Sequence, residues 1–241
     1  METQYQNDKY KGDELQLFEK AKNWKLYLKK FISSYLKEYV LEVGAGIGGT
    51  TKVLCDGKQK EWLCLEPDKT LSMVIEQLID QGHLPCCCKT KIGHLTDLNN
   101  QKKFDTILYI DVIEHIEHDH EEINTASNYL SQNGVIVILA PAHEFLSSLF
   151  DKSLGHYRRY SKKRMYSLIP EGFRAKKKII FLDFSGFFAL LFNKIFLRKK
   201  TPTLNQVLFW DKFLIPVSEI VDRLLGFSFG KSLLLIIEKK Q

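Results

Sequence analysis

The sequence has little of what marks the non-globular classes. Six prolines and 14 glycines in 241 residues are too few for a collagen-like or low-complexity chain. Apolar residues are dense from residue 38 onward, which excludes intrinsic disorder. Cysteines occur only at 55, 64, 86, 87 and 88, and none forms the Cys-x-x-Cys spacing of a zinc ribbon. Their number is odd and their settings are apolar, so they read as reduced: Cys64 in one strand, Cys86 to Cys88 on alternate faces of another. Small buried hydrophobes of a cytoplasmic protein are expected. The opening METQYQNDKY has no apolar core, and no signal peptide is expected there. No internal repeat is visible.

An excess of positive charge is missing from most of the chain. The formal net charge is +6, yet residues 1–150 hold 16 Lys and Arg against 22 Asp and Glu. Residues 151–200 hold 14 against 3, and residues 201–241 hold 5 against 4. One fifth of the chain carries the positive excess, which points to a local anionic acceptor, partner or membrane surface and speaks against a general nucleic-acid partner. An uninterrupted apolar run is absent too. Ile179–Leu197 spans 19 residues but contains Asp183, Asn193 and Lys194. A central charge costs about 3 kcal/mol on insertion scales, so a substrate-lining helix or a peripheral membrane contact is expected ahead of a true span.

What is present is an alternation of short apolar runs and helix-compatible segments. Leu15, Phe18, Trp24, Leu28, Phe31 and Ile32 fit a helical face. Tyr39–Val43 then reads as a strand, Thr50–Cys55 as a helix, Trp62–Glu66 as a strand and Leu71–Ile79 as a helix. Cys86–Ile92 and Phe104–Ile110 read as strands, Glu121–Leu130 as a helix, and Val135–Leu139 as a strand after the Asn133-Gly134 turn. Such strands separated by helices predict an α/β, doubly wound parallel sheet covered on both faces. Beyond residue 140 the rhythm returns only as a strand near Phe173–Phe181 and a terminal one over Lys231–Glu238. The Phe-, Leu- and Ile-rich stretch between them predicts a helical cap.

Gly44, Gly46, Gly48 and Gly49 follow the first strand directly, where a backbone without side chains can turn tightly and lie against a ligand. Glu66 ends the second strand 18 residues beyond Gly48, placed to accept both hydroxyls of a ribose, which suits NAD or an adenosyl ligand. Glu42 lies inside the first strand, where a dinucleotide fold wants an apolar residue, and could meet an ammonium group.

Leu41-Glu-Val-Gly-Ala-Gly-Ile-Gly, Leu65-Glu-Pro-Asp68, Phe104-Asp-Thr-Ile-Leu-Tyr-Ile-Asp111 and Leu130-Ser-Gln-Asn-Gly-Val-Ile-Val-Ile138 resemble, in order and spacing, the motifs of class I S-adenosylmethionine-dependent methyltransferases. The resemblance implies a Rossmann-like, seven-stranded, mostly parallel sheet with an antiparallel last strand and a helical cap inserted before it. The division would be N-terminal helices over 1–37, a cofactor-binding core over 38–182, the cap over 183–228 and the last strand over 229–241, all one methyltransferase domain. It further implies that Glu42 with Gly44, Ala45, Gly46 and Gly48 binds the methionine part of S-adenosylmethionine, and Glu66 with Pro67 the ribose. Gly93, His94 and Leu95 would flank the adenine, with Asp97 a further candidate because His94 stands where the family commonly has Asp. Asp111 and Val112 would complete the cofactor contacts.

Asp111, Glu114 and His115 recur at spacings of three and four, which gathers them near one face at the carboxyl end of the fourth strand. Two carboxylates beside an imidazole suit a divalent cation, a general base tuned by its neighbours, or a plain helix cap. The cluster resembles the Glu-x-x-Glu-His arrangement of metal-assisted O-methyltransferases, with His156 as the later histidine. That resemblance implies a divalent metal on Asp111, Glu114, His115 and His156.

Gly155-His-Tyr-Arg-Arg-Tyr160 is dense in chemistry: Arg158 and Arg159 could fork onto an anionic group and Tyr157 and Tyr160 stack on a ring, or the arginines could pair with Asp151 and other acids. His143 follows the fifth strand near the expected crevice. The expected activity is O-methylation of a small molecule, sugar or lipid-linked glycan, with His115, His156 and Glu114 catalytic and His143, Tyr157, Arg158, Arg159 and Tyr160 on the acceptor. Other readings are a cofactor-binding pseudoenzyme or interaction module, an RNA 2′-O-methyltransferase, and an NAD-dependent oxidoreductase.

Overall fold

The computed structural model describes residues 14–99, 101–197 and 201–240. The METQYQNDKY opening and the Arg198-Lys-Lys200 flank of the apolar segment lie outside them. Two helices come first, α1 (Glu14–Glu19) and α2 (Lys22–Ile32), and α2 buries Trp24, Tyr27, Leu28 and Ile32 along one face as their spacing predicts. Strands β1 (Tyr39–Val43) and β2 (Glu61–Glu66) flank the short α3 (Thr51–Leu54), and α4 (Lys69–Asp80) leads to β3 (Cys88–Ile92). Asp68 caps α4 by accepting from the Thr70 and Leu71 amides at 2.7 and 3.2 Å.

Strand β4 (Phe104–Ile110), helix α5 (Asp119–Ser127) and strand β5 (Leu130–Pro141) follow. Then come α6 (Leu149–Ser153), α7 (Lys162–Ser167), β6 (Phe173–Ala175) and β7 (Ile180–Leu182). The cap holds α8 (Phe184–Phe192), α9 (Leu204–Phe209) and α10 (Ile215–Leu224), and β8 (Ser232–Lys239) closes the sheet. All six residues of β2 are buried, as a strand covered on both faces requires.

The sheet order is β3-β2-β1-β4-β5-β8-β6, with β7 also on β8. The first five strands in this order run parallel, and β8 is antiparallel to β5, as expected. Among the described residues there are eight strands where seven were expected. The expected Phe173–Phe181 strand is broken at its lysines, and its two pieces pair opposite ends of one edge of β8: Phe173–Ala175 with Ile237–Lys239, and Ile180–Leu182 with Ser232–Leu234. The sheet is therefore seven positions wide.

Smaller corrections have local causes. Leu130 opens β5 as the partner of Phe104 and does not extend the helix before it. Cys86 and Cys87 form a turn, closed by the Cys88 amide donating to Pro85 O at 2.9 Å, so β3 begins only at Cys88. After β4 the chain enters a single 3-10 turn, Ile113–His115, instead of opening a helix.

Buried acids lock the cap down. Asp183, fully buried, accepts from Trp210 Nε1 and Ser218 Oγ, both at 2.8 Å, and from Lys231 Nζ at 3.1 Å. Asp211 receives the amide of Trp24 at 2.8 Å, and Asp222 the hydroxyl of Tyr27 at 2.8 Å, so the cap is bolted to α2. Among the described residues, no helix is long and apolar enough to cross a membrane.

Candidate active site

The sheet reverses its winding between β1 and β4, and at such a switch point the carboxyl ends of two neighbouring strands open a crevice. Val43 pairs with Tyr109, which brings the turn at Gly44 beside Asp111 and Val112. Gly44 has φ 65°, and a Cβ there would lie 2.8 Å from Val112 Cγ2, so both backbone and space demand glycine. Asp111 itself has φ 55°, a strained value that turns its side chain into the crevice.

A cavity of about 270 Å³ fills this crevice, lined by Gly44 to Ile47, Asp111, Glu114, His115, Asp151, His156, Arg159, Lys25 and Lys231, among others. Glu66 lies below the loop with 5% exposure; its carboxylate accepts from the Gly46 amide at 2.8 Å and the Asp68 amide at 3.0 Å. Burial pushes Glu66 up to about 7. A carboxylate has about four acceptor sites, so two remain for hydroxyl donors.

All four polar residues of the expected cluster line this cavity, and three of them, Glu114, His115 and His156, converge on one point. The Tyr157 amide donates to Glu114 O at 2.8 Å, which straps the His156 segment over the 3-10 turn. The His115 and His156 rings meet edge-on with centroids 4.5 Å apart, and His156 Nδ1 lies 3.4 Å from Asp151 Oδ1. Glu114 is 1% exposed, and its Oε2 is a buried acceptor with no hydrogen-bond partner among the described residues. Burial and the neighbouring Asp111 raise Glu114 well above the usual carboxylate range. Burial and His156 push His115 down to about 4, so its ring is neutral at neutral pH. One ligand atom each of Glu114, His115 and His156 lies within 4.8 Å of the others; Asp111 is outside that set.

Other expected contacts are placed differently. Glu42 is absent from the cavity wall: its Oε2 accepts from Thr51 Oγ1 at 2.7 Å and Trp62 Nε1 at 2.8 Å beneath the loop, and burial pushes it up to about 7. Gly93 and His94 begin the turn after β3, where the Gly93 amide donates to Glu66 O at 3.1 Å and the His94 amide to Asp97 Oδ2 at 2.8 Å; with buried Leu95 they lie beyond Glu66, off the cavity wall. Gly48, Glu66, Pro67 and Val112 also lie off that wall.

The acceptor residues are corrected more sharply. Arg158 pairs with Asp119 at 2.8 Å, and Tyr160, fully buried, donates to the same carboxylate at 2.8 Å. Arg159 forks onto Asp151 at 2.7 and 3.2 Å, the pairing weighed as the alternative, though it still faces the cavity. Tyr157 points to solvent, and His143 is enclosed by Phe145, Phe181, Phe187 and Phe229 with its Nε2 donating to Gly230 O at 3.0 Å. Charge pairing and aromatic packing explain Arg158, Arg159, Tyr160 and His143, which brace the loops around the site.

Two cavity residues gave no signal in the sequence. Lys25 reaches from α2 to donate to Phe18 O, Glu19 O and Ala21 O, and burial lowers it to about 8. Lys231 lies 3.8 Å over the Trp210 ring. Beside them a second chamber of about 1070 Å³ opens between the cap and the 146–152 loop. It shares Phe18, Phe150, Arg159, Leu190, Trp210 and Lys231 with the first cavity, and is otherwise lined mainly by apolar residues of α8 and α9.

Residues 41–136 match a family model described as a methyltransferase domain, a segment that runs from β1 into β5. Among solved structures, the chain is similar to an S-adenosylmethionine-dependent methyltransferase from Clostridium acetobutylicum ATCC 824 (11% identity, TM-score 0.59, covering 94% of this chain and 98% of that one). It is also similar to the plantazolicin methyltransferase BpumL in complex with SAH (13% identity, TM-score 0.60, covering 95% and 89%). The mitomycin 7-O-methyltransferase MmcR matches at 11% identity and TM-score 0.58, and the chain spans 54% of its length. No curated protein matches the sequence. The matched segment is a methyltransferase domain, and the fold around it is the one these S-adenosylmethionine-dependent methyltransferases share.

The site's chemistry fits that cofactor. The glycine turn leaves room for a backbone-hugging ligand, Glu66 keeps acceptor sites for hydroxyls, and Asp111 with the partnerless Glu114 Oε2 presents acceptors to an ammonium.

Proposed function

We propose that the chain methylates an oxygen on a long, largely apolar acceptor with a polar or anionic head, such as a lipid-linked glycan, taken from a membrane surface. The observation that carries this reading is the apolar chamber of about 1070 Å³ sharing a wall with the cavity that holds the glycine loop and the histidine pair. When bound, S-adenosylmethionine supplies a methyl group activated by a cationic sulfur. Gly44, Ala45 and Gly46 would hold its methionine part, Asp111 its ammonium, and Glu66 its ribose.

The remaining work falls to side chains. A neutral His115 orients the acceptor hydroxyl without repelling a cation, while His156, backed by Asp151, takes the hydroxyl proton. Arg159 and Lys231 sit on the shared wall already paired with Asp151 and Asp183, so the positive charge offered to a negative head group is that of Lys152 and Lys194. Phe188, Phe192, Phe209, Phe213, Ile220 and Leu224 expose apolar surface on the cap, and Leu224 is 80% exposed. With Lys152 and Lys194 at the chamber, this surface suits an anionic bilayer from which a chain could enter.

The test pairs long-chain alcohols with the matching amines, offered with labelled cofactor in anionic and neutral vesicles. Transfer to the alcohol, stronger on anionic vesicles, is expected. Transfer to the amine alone would overturn the acceptor atom, and saturable S-adenosylhomocysteine binding with no transfer would favour a binding module.

A second reading rests on Glu114 Oε2, a buried acceptor without a partner beside two imidazoles. Glu114, His115 and His156 would then hold a divalent ion that polarises the acceptor oxygen. Loss of transfer after chelation, restored by one added divalent ion, supports it over the metal-free base.

A further inference from the structure

The methyltransferase site uses none of the five cysteines, and three of them are gathered by two loops. Cys55 ends α3, and Cys87 and Cys88 close the Pro85–Cys88 turn opposite it. Cys55 Sγ lies 3.6 Å from Cys87 Sγ and 3.6 Å from Cys88 Sγ, and all three sulfurs fall within 4.8 Å of one another. No disulfide links them.

Around a tetrahedral zinc with bonds of about 2.3 Å, neighbouring sulfurs stand about 3.8 Å apart, close to the spacing seen. A fourth donor is at hand. Gln59, 8% exposed, has Nε2 donating to Asp56 Oδ1 at 3.0 Å, which turns its Oε1 toward Cys55 Sγ at 3.4 Å. A core that needed only small apolar side chains here would not require three thiols converging on one point with an amide oxygen 3.4 Å from one of them.

We propose that Cys55, Cys87 and Cys88, with Gln59 Oε1 or a water as fourth ligand, form a site for a thiophilic divalent cation of the zinc type. Binding releases the thiol protons to solvent and forms three metal–sulfur bonds, with no change of oxidation state. The ion would clip the end of α3, the helix that follows the glycine loop, to the start of β3. The site lies apart from Glu114, His115 and His156 and does not depend on how the acceptor is methylated.

The test uses the reduced, full-length protein. Cobalt(II) added as a probe should give the thiolate charge-transfer absorption and strong visible bands of a tetrahedral centre, and stoichiometric zinc should abolish them. In parallel, zinc should slow alkylation of Cys55, Cys87 and Cys88 at least tenfold, read site by site by mass spectrometry, and leave the exposed Cys86 unchanged. Cys55→Ser should remove both effects, and Cys86→Ser neither. Should Cys55→Ser fail to fold, the wild-type alkylation pattern decides. Absent cobalt–thiolate absorption with unchanged alkylation overturns the proposal, as does a stable disulfide among these cysteines that excludes zinc under mild reduction.

Discussion

The ring of His115 stands edge-on to that of His156, centroids 4.5 Å apart and planes at 85°, and His156 Nδ1 lies 3.4 Å from Asp151 Oδ1. Acid, imidazole and imidazole thus lie in series at the cofactor cavity. If His156 removes the acceptor proton, His156→Ala should lower kcat by about 10²- to 10⁴-fold, the usual worth of a positioned base. His115→Ala should fall less and mainly raise KM. Neither should move S-adenosylhomocysteine affinity measured by calorimetry more than a few-fold. Unchanged turnover in both variants would remove the pair from the mechanism.

Glu66 gives a pH dependence with a definite sign. Burial raises it to about 7 from an ordinary 4.5, so below pH 7 the carboxyl is mostly protonated and accepts fewer hydroxyl bonds. Ligand hydroxyls favour the ionised form, so affinity for S-adenosylhomocysteine should rise with pH through about 7 and then level off. In Glu66→Gln the affinity should be weaker and flat over the same range. The raised value acts on stability in the opposite sense: its contribution is full below pH 4.5 and declines as pH climbs through 7. Chemical unfolding of wild type and Glu66→Gln should therefore converge at low pH.

Much of this could be read before any coordinates. Strands β2 and β4 declared themselves because a strand covered on both faces reads as a near-continuous apolar run, here Trp62–Leu65 and Ile107–Ile110, and glycines with an acid one strand later mark a crevice at a switch point. What stayed hidden depended on partners brought together by folding. Arg158 and Tyr160 look like ligand-binding residues until Asp119, 41 positions before Tyr160, is found between them. Likewise, Glu42 reads as a cofactor ligand until the Trp62 and Thr51 donors of neighbouring elements take its oxygen. Lys25 carried no motif at all, since its place at the cavity follows from where α2 packs.

Asp183 anchors the cap from a left-handed backbone at φ 65°, gathering Trp210, Ser218, Lys231 and the Gly186 amide. Removing one partner of a buried ion pair leaves the other charge uncompensated, which costs about 3–5 kcal/mol. Asp183→Ala should lose stability of that order in urea unfolding, with Trp210 fluorescence changing at lower denaturant than the sheet's circular dichroism. A fully cooperative transition near the wild-type midpoint would mean that the cap is held by its apolar contacts alone.

The acceptor chamber can be narrowed without touching the cofactor cavity, because Ala189 lines only the former. Ala189→Trp projects an indole into the space proposed for a long apolar chain. KM for a long-chain acceptor should rise tenfold or more, roughly 1.4 kcal/mol of lost binding, while kcat for a short acceptor and S-adenosylhomocysteine affinity stay near wild type. A uniform fall in all three would instead report damage to the cap. An unchanged KM for the long acceptor would place its chain elsewhere and sink the assignment of this chamber.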